Sequence, residues 1–188
     1  MQKHYEVLIH AYGEIADDIF DEIIKDTETQ LSNKISECQS PIDGVKISTK
    51  NIGKGADWLV LAMYFVAAAI VIPEAHKKIR EGIEEWQRIY SELHSFFTRV
   101  IGSKSAFFPD EYLFLVAVFH LSGRQFSDTI QYKSLLRIPV SNPDLHGFES
   151  LLFSFCDNST FIQVAVSRSG EVLWQNNVEL IEFQANRL

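Results

Sequence analysis

Trp58-Leu59-Val60-Leu61-Ala62-Met63-Tyr64-Phe65-Val66-Ala67-Ala68-Ala69-Ile70-Val71-Ile72 runs for fifteen residues without a charged side chain and stops at Pro73. How this stretch is read decides the rest of the fold. Fifteen residues fall short of the roughly 20 that a helix needs to cross a bilayer, and Pro73 cannot continue a helix from within. The run therefore reads as a buried core helix. A dedicated protein interface and membrane contact are the rival readings. Membrane contact draws on Lys54 to one side and Lys77, Lys78 and Arg80 to the other.

Upstream, Tyr5 to Tyr12 is rich in strand formers and ends at Gly13, after which Ile15, Ile19, Phe20, Ile23, Ile24, Leu31 and Ile35 recur at helical intervals. Ser40-Pro41-Ile42-Asp43-Gly44 is a turn signal. Val45, Ile47 and Thr49 then alternate with Lys46, Ser48 and Lys50, as in a half-buried strand. The expected β-α-β unit has parallel strands if the two share a sheet.

Downstream, Pro73 is well placed to open a second helix. Its apolar stripe is Ile79, Ile83, Trp86, Tyr90, Leu93, Phe97 and Val100, spaced alternately four and three apart. Folded back on the preceding helix, the stripe serves internal packing in a helical hairpin. Left open, it offers an interface anchored by Trp86. A third helix is expected from Pro109-Asp110-Glu111 to Gly123, its acidic pair suited to a positive helix terminus. From Ile130 onward the pattern alternates as strands do, with Ser167-Arg168-Ser169-Gly170 closing a hairpin. The fold class is α+β: an N-terminal β-α-β unit, a central helical hairpin with a third helix, and C-terminal antiparallel strands. Residues 1–188 read as one domain, with a soft boundary near 102–105.

Composition narrows function by exclusion. A net charge of -8 argues against general nucleic-acid binding, which needs clustered cations to displace counterions. Cys38 and Cys156 have no zinc-type spacing. The first residues lack the parts of a secretory signal, so a cytoplasmic, disulfide-free protein is expected. Asp17 and Asp21 lie four apart on the acidic first helix, without a histidine to complete a metal set, and read as a solvated face. Asn51-Ile52-Gly53-Lys54-Gly55 matches neither phosphate-loop pattern. No metal, cofactor or catalytic residue is expected; for an enzyme of unfamiliar type, His10, His120 and Cys156 are the participants to inspect.

The order of parts, with Gly53-Lys54-Gly55-Ala56-Asp57-Trp58, then Glu81-Gly82-Ile83-Glu84-Glu85-Trp86, then Phe108-Pro109-Asp110-Glu111, resembles small effector-associated components of bacterial conflict and defence systems over residues 5–122. The resemblance implies an adaptor beside separate effector domains and supplies no catalytic residues. The expected function is a non-enzymatic interaction or assembly module with a protein partner or a second copy. Its candidate interface residues are Trp58, Ile79, Ile83, Trp86, Tyr90, Leu93 and Phe97. A membrane-active protein inserting 58–72 is the alternative.

Overall fold

The computed structural model describes residues 3–10, 17–38, 43–51, 59–67, 83–102, 106–122, 130–139 and 149–179. β1 (Lys3–His10), α1 (Asp17–Glu37), β2 (Asp43–Asn51), β3 (Leu59–Ala67), α2 (Ile83–Ile101) and β4 (Ala106–Phe107) build a first sheet of strand order β2-β3-β1-β4. This is the β-α-β-β-α-β arrangement of the split β-α-β, or ferredoxin-like, motif. β1 and β2 run in the same direction because each pairs antiparallel with β3, which lies between them.

The apolar run is thus corrected from helix to strand. Residues 59–67 form β3, and the expected helical hairpin is replaced by a strand followed by α2. A short continuous apolar run is as consistent with a buried strand as with a buried helix, and periodicity does not separate the two. Val60, Tyr64, Phe65 and Val66 are strand-favouring types, which tips the local preference toward a strand. Residues 68–72 and Pro73 lie outside the described residues.

One face of this sheet is apolar and buried: Tyr5, Val7 and Ile9 alternate on β1, and the cross-strand row Ile47–Met63–Val7 spans three strands. Leu31 of α1 and Leu93, Phe96, Phe97 and Val100 of α2 belong to the same cluster. The helical spacing of those α2 residues sets them on one stripe, and α2 uses it inside the chain. On its outer side Arg88 pairs with Glu92 at 2.8 Å; both are exposed, so the pair contributes only about 0.3–0.5 kcal/mol.

α3 (Asp110–Ser122) begins at the acidic pair, as its sequence indicates. Residues 112–118 are all buried, which an amphipathic surface helix cannot achieve. α3 packs against α2 and, through its other sides, against β6 (Ser150–Asp157), β7 (Thr160–Val166) and β8 (Val172–Glu179), which with β5 (Gln131–Ile138) form a second antiparallel sheet ordered β5-β6-β7-β8. Phe114 makes the link, with ring centres 5.4 Å from Trp86 of α2 and 5.8 Å from Phe153 of β6. A single apolar cluster then runs from Tyr5 to Val166 across the region of the proposed soft boundary, whose residues 103–105 lie outside the described ones.

Phe153→Ala is expected to lower the unfolding free energy by about 3–5 kcal/mol, whereas Leu136→Ala, at a side chain 59% exposed, should change it by no more than about 0.5 kcal/mol. Urea midpoints of the two variants check this.

Candidate functional site

The residues singled out from sequence do not converge. Trp58 and Ile79 lie outside the described residues, and Ile83 opens α2. Leu93 and Phe97 are buried, while Trp86 and Tyr90 are half-buried against the core. His10 ends β1. His120, in the last turn of α3, has Nε2 3.1 Å from Gln175 Oε1 of β8. Gln175 shares the α3-facing register row of Val164 and Phe153, whereas Cys156 shares the opposite face with Phe161 and Val178. His120 and Cys156 are therefore on different sides of one sheet. Among the described residues no group of three or more His, Cys, Asp or Glu side chains is placed to hold a metal ion, and no helix is long and apolar enough to cross a membrane.

Two other places concentrate chemistry. The first is the contact between the β7–β8 hairpin and the start of α3. Gly170 N donates to Ser167 O at 3.0 Å, closing the hairpin, and Gly170 adopts φ +83°, a conformation open to glycine at little cost. An ideal Cβ at position 170 would lie in ordinary contact with the Phe108 ring, 3.5 Å away, so the positive φ rather than crowding favours glycine here. Phe108 N donates to Arg168 O at 2.8 Å, and the Arg168 guanidinium reaches back to Phe108 O.

Arg168 is nine-tenths buried and bridges Asp110 at the head of α3 to Glu149 before β6. Arg137 of β5 bridges the same two carboxylates from the outside, 2.9 Å from Glu149. The four groups form a closed ring of alternating charge that ties α3 to one end of the second sheet, across β5, the start of β6 and the β7–β8 hairpin. Burial alone would push the Glu149 carboxyl up, but hydrogen bonds from Arg168 and Arg137 outweigh it and hold the group at about 2. For Arg168 burial works against the charge, and the two carboxylates more than compensate, so its pKa is raised.

Beside this ring lies a half-open pocket of about 230 Å³ between α2, β4, α3 and the hairpin. Phe97, Phe108 and Tyr112 supply its aromatic walls, with Phe108 and Tyr112 rings 4.4 Å apart. His94 Nδ1 sits 3.2 Å from Tyr112 Oη, and the Tyr90 ring stacks on both His94 and Tyr112.

The second place is the outer edge of the second sheet. Leu173, Trp174 and Val178 of β8 are 49%, 44% and 45% exposed, three of the five large hydrophobics exposed among the described residues. On the same outer face the central positions Leu152 and Ala165 are buried, so exposure gathers at the margin.

Comparison with family models, curated proteins and solved structures finds no match for this chain.

Sequence reasoning overlooked Arg168 as more than a turn residue, and it overlooked Trp174. The partners of Arg168 lie 58 and 19 positions away, and no local spacing signals them. Val172-Leu173-Trp174 broke strict alternation, a sign of the register shift that the β7–β8 pairing contains.

Because the Glu149 pKa is lowered from 4.5, its contribution to stability is complete above pH 4.5 and drains as the pH falls toward 2. Glu149→Gln should therefore flatten the acid limb of stability between those limits, and Arg168→Met should cost about 1–3 kcal/mol at pH 7, because the two part-buried carboxylates lose Arg168 and keep only the exposed Arg137. Urea unfolding at pH 7 and pH 3 measures both.

Proposed function

We propose that the chain is a non-enzymatic assembly module that pairs with a second copy of itself along β8. The observation that carries this reading is the character of that edge. β8 reads Val-Leu-Trp-Gln-Asn-Asn-Val-Glu: eight residues with no Lys, Arg or Pro, one formal charge at Glu179, and three exposed large apolar side chains. Edge strands ordinarily carry charges or Pro that discourage a further strand. The opposite edge, β5, does so with Lys133 and Arg137 and is followed by Pro139. Among the described residues β8 carries no such protection.

Self-pairing also fits the spacing. An antiparallel pair closed by a two-fold axis at Asn176 sets Trp174 of one copy opposite Val178 of the other, and Val178 opposite Trp174. Two half-exposed apolar residues on the same face are covered at once, with cross-strand pairs worth about 0.2–1 kcal/mol each beyond their burial. The nearly uncharged strand lets two chains of net charge -8 approach where repulsion is least. A closed two-fold contact uses up both edges and does not propagate into a fibre. An adaptor role beside an effector, as the resemblance implies, is compatible with such a dimer.

Light scattering of the purified protein is expected to give twice the 21.5 kDa chain mass, independent of detergent, and Trp174→Glu should return the monomer. In a chain lacking Cys38 and Cys156, Asn176→Cys should form a disulfide-linked dimer on oxidation, since the two-fold brings the residue against itself within disulfide reach. A monomeric mass at all concentrations rejects self-assembly. A dimer that resists Trp174→Glu and does not cross-link at position 176 rejects this edge.

A further inference from the structure

We propose that Asn176 fixes the register in which two copies pair along β8, through a polar row that crosses the face of the second sheet opposite α3. The inference rests on self-pairing at β8 and adds which of the registers open to that edge is used.

The rows follow from the ladder. On the face away from α3, Ser134, Ser154, Gln163 and Asn176 stand opposite one another in turn across β5, β6, β7 and β8. A second row, Leu136, Leu152, Ala165 and Trp174, lies two residues to one side of it, and Cys156, Phe161 and Val178 lie two residues to the other. A polar stripe thus runs between two apolar ones and ends at the free margin, where Trp174, Asn176 and Val178 are all exposed.

Symmetry limits what can follow. Side chains directly opposite in an antiparallel pair share a face, so a two-fold axis normal to the sheet passes through a residue, and a change of register that keeps the faces slides the strands by two residues. With the axis at Asn176, the polar row meets the polar row of the second copy, Asn176 against Asn176, and each Trp174 row runs on into a Val178 row. With the axis at Gln175, Asn176 stands against Trp174 of the second copy; with the axis at Asn177, it stands against Val178. Either slip takes apart both Trp174–Val178 pairs and leaves an amide beside an apolar side chain. An asparagine side chain carries donors and an acceptor together, so Asn176 is answered by its own copy and by neither apolar residue.

Each cross-strand pair shifts the equilibrium by about 1.4- to fivefold, so losing two disfavours a slipped register by about two- to thirtyfold. Were position 176 apolar, the slip to Gln175 would recover two apolar pairs, Trp174 with residue 176, and that preference would fall away. Asn176 withholds them, as a single polar residue in an apolar seam specifies register elsewhere. On the other face Gln175 Nε2 donates to Asn177 Oδ1 at 2.7 Å, and Gln175 Oε1 is 3.1 Å from His120 Nε2, so those amides are engaged within the chain.

Pulsed dipolar spectroscopy of the full chain tests the proposal, with a nitroxide attached through Ser159→Cys, at the exposed β6–β7 turn, in a chain lacking Cys38 and Cys156. Light scattering gives the mass of the same sample. Twice the chain mass and one narrow inter-label distance are expected. Asn176→Val should keep the mass and add a second distance displaced by about 6 Å, the length of a two-residue slip, in at least about one-fifth of the pairs. Asn176→Gln keeps an amide and should retain the single distance. A monomer in the parent chain overturns self-pairing and this inference with it. Several distances in the parent, a single distance that survives Asn176→Val, or loss of the dimer in Asn176→Val overturns the role of Asn176 and leaves self-pairing standing.

Discussion

The burial of α3 on all sides is the constraint from which the rest of the structure follows. A helix with Leu113, Phe114, Leu115, Val116, Ala117 and Val118 buried in succession has no face to give to water, and every direction around it must be covered. α2 covers one side and the second sheet another. Phe114 is the point of closure, since its ring meets Trp86 on α2 and Phe153, Phe155 and Tyr132 on the sheet. Without α3 the split β-α-β half and the β5-β6-β7-β8 half would each expose an apolar surface.

Hydrophobic burial is not directional, so it does not by itself set how the second sheet is seated on α3. The ring of Arg168, Asp110, Arg137 and Glu149 supplies direction. It joins the head of α3 to β5, to the start of β6 and to the β7–β8 hairpin, and the backbone bond from Phe108 N to Arg168 O repeats the connection. Buried ion pairs contribute less to stability than to a unique arrangement. Here the arrangement has two results: the hairpin becomes a wall of the aromatic cavity, and β8 becomes the sheet margin.

The pocket borders the hairpin at Ser169 and Gly170, and the margin runs along β8 at Leu173, Trp174 and Val178. The pocket is small, half open and walled by Phe97, Phe108 and Tyr112 beside the ionic ring. The β8 edge is a row of backbone donors and acceptors flanked by Trp174 and Val178, a surface that gains from a further strand. His120 Nε2, 3.1 Å from Gln175 Oε1, ties that strand to α3.

The α+β class, the four C-terminal strands, the hairpin at residues 167–170 and the start of α3 at Asp110 were legible in sequence. Each rests on local rules: alternation, turn residues and capping charge act between neighbours in the chain. The stripe on α2 was legible as a stripe, and its burial was one of two open readings. The apolar run was misread over residues 59–67, because a short apolar strand and a buried helix segment have the same composition over nine residues. The cavity and the ionic ring were beyond local reading altogether. Arg168 meets residues 58 and 19 positions away, and Tyr90 and His94 meet Tyr112 from another helix. Sequence alone determined which segments carry apolar faces and where they turn; tertiary structure decided which face meets which, because that depends on the shape left between α3 and its neighbours.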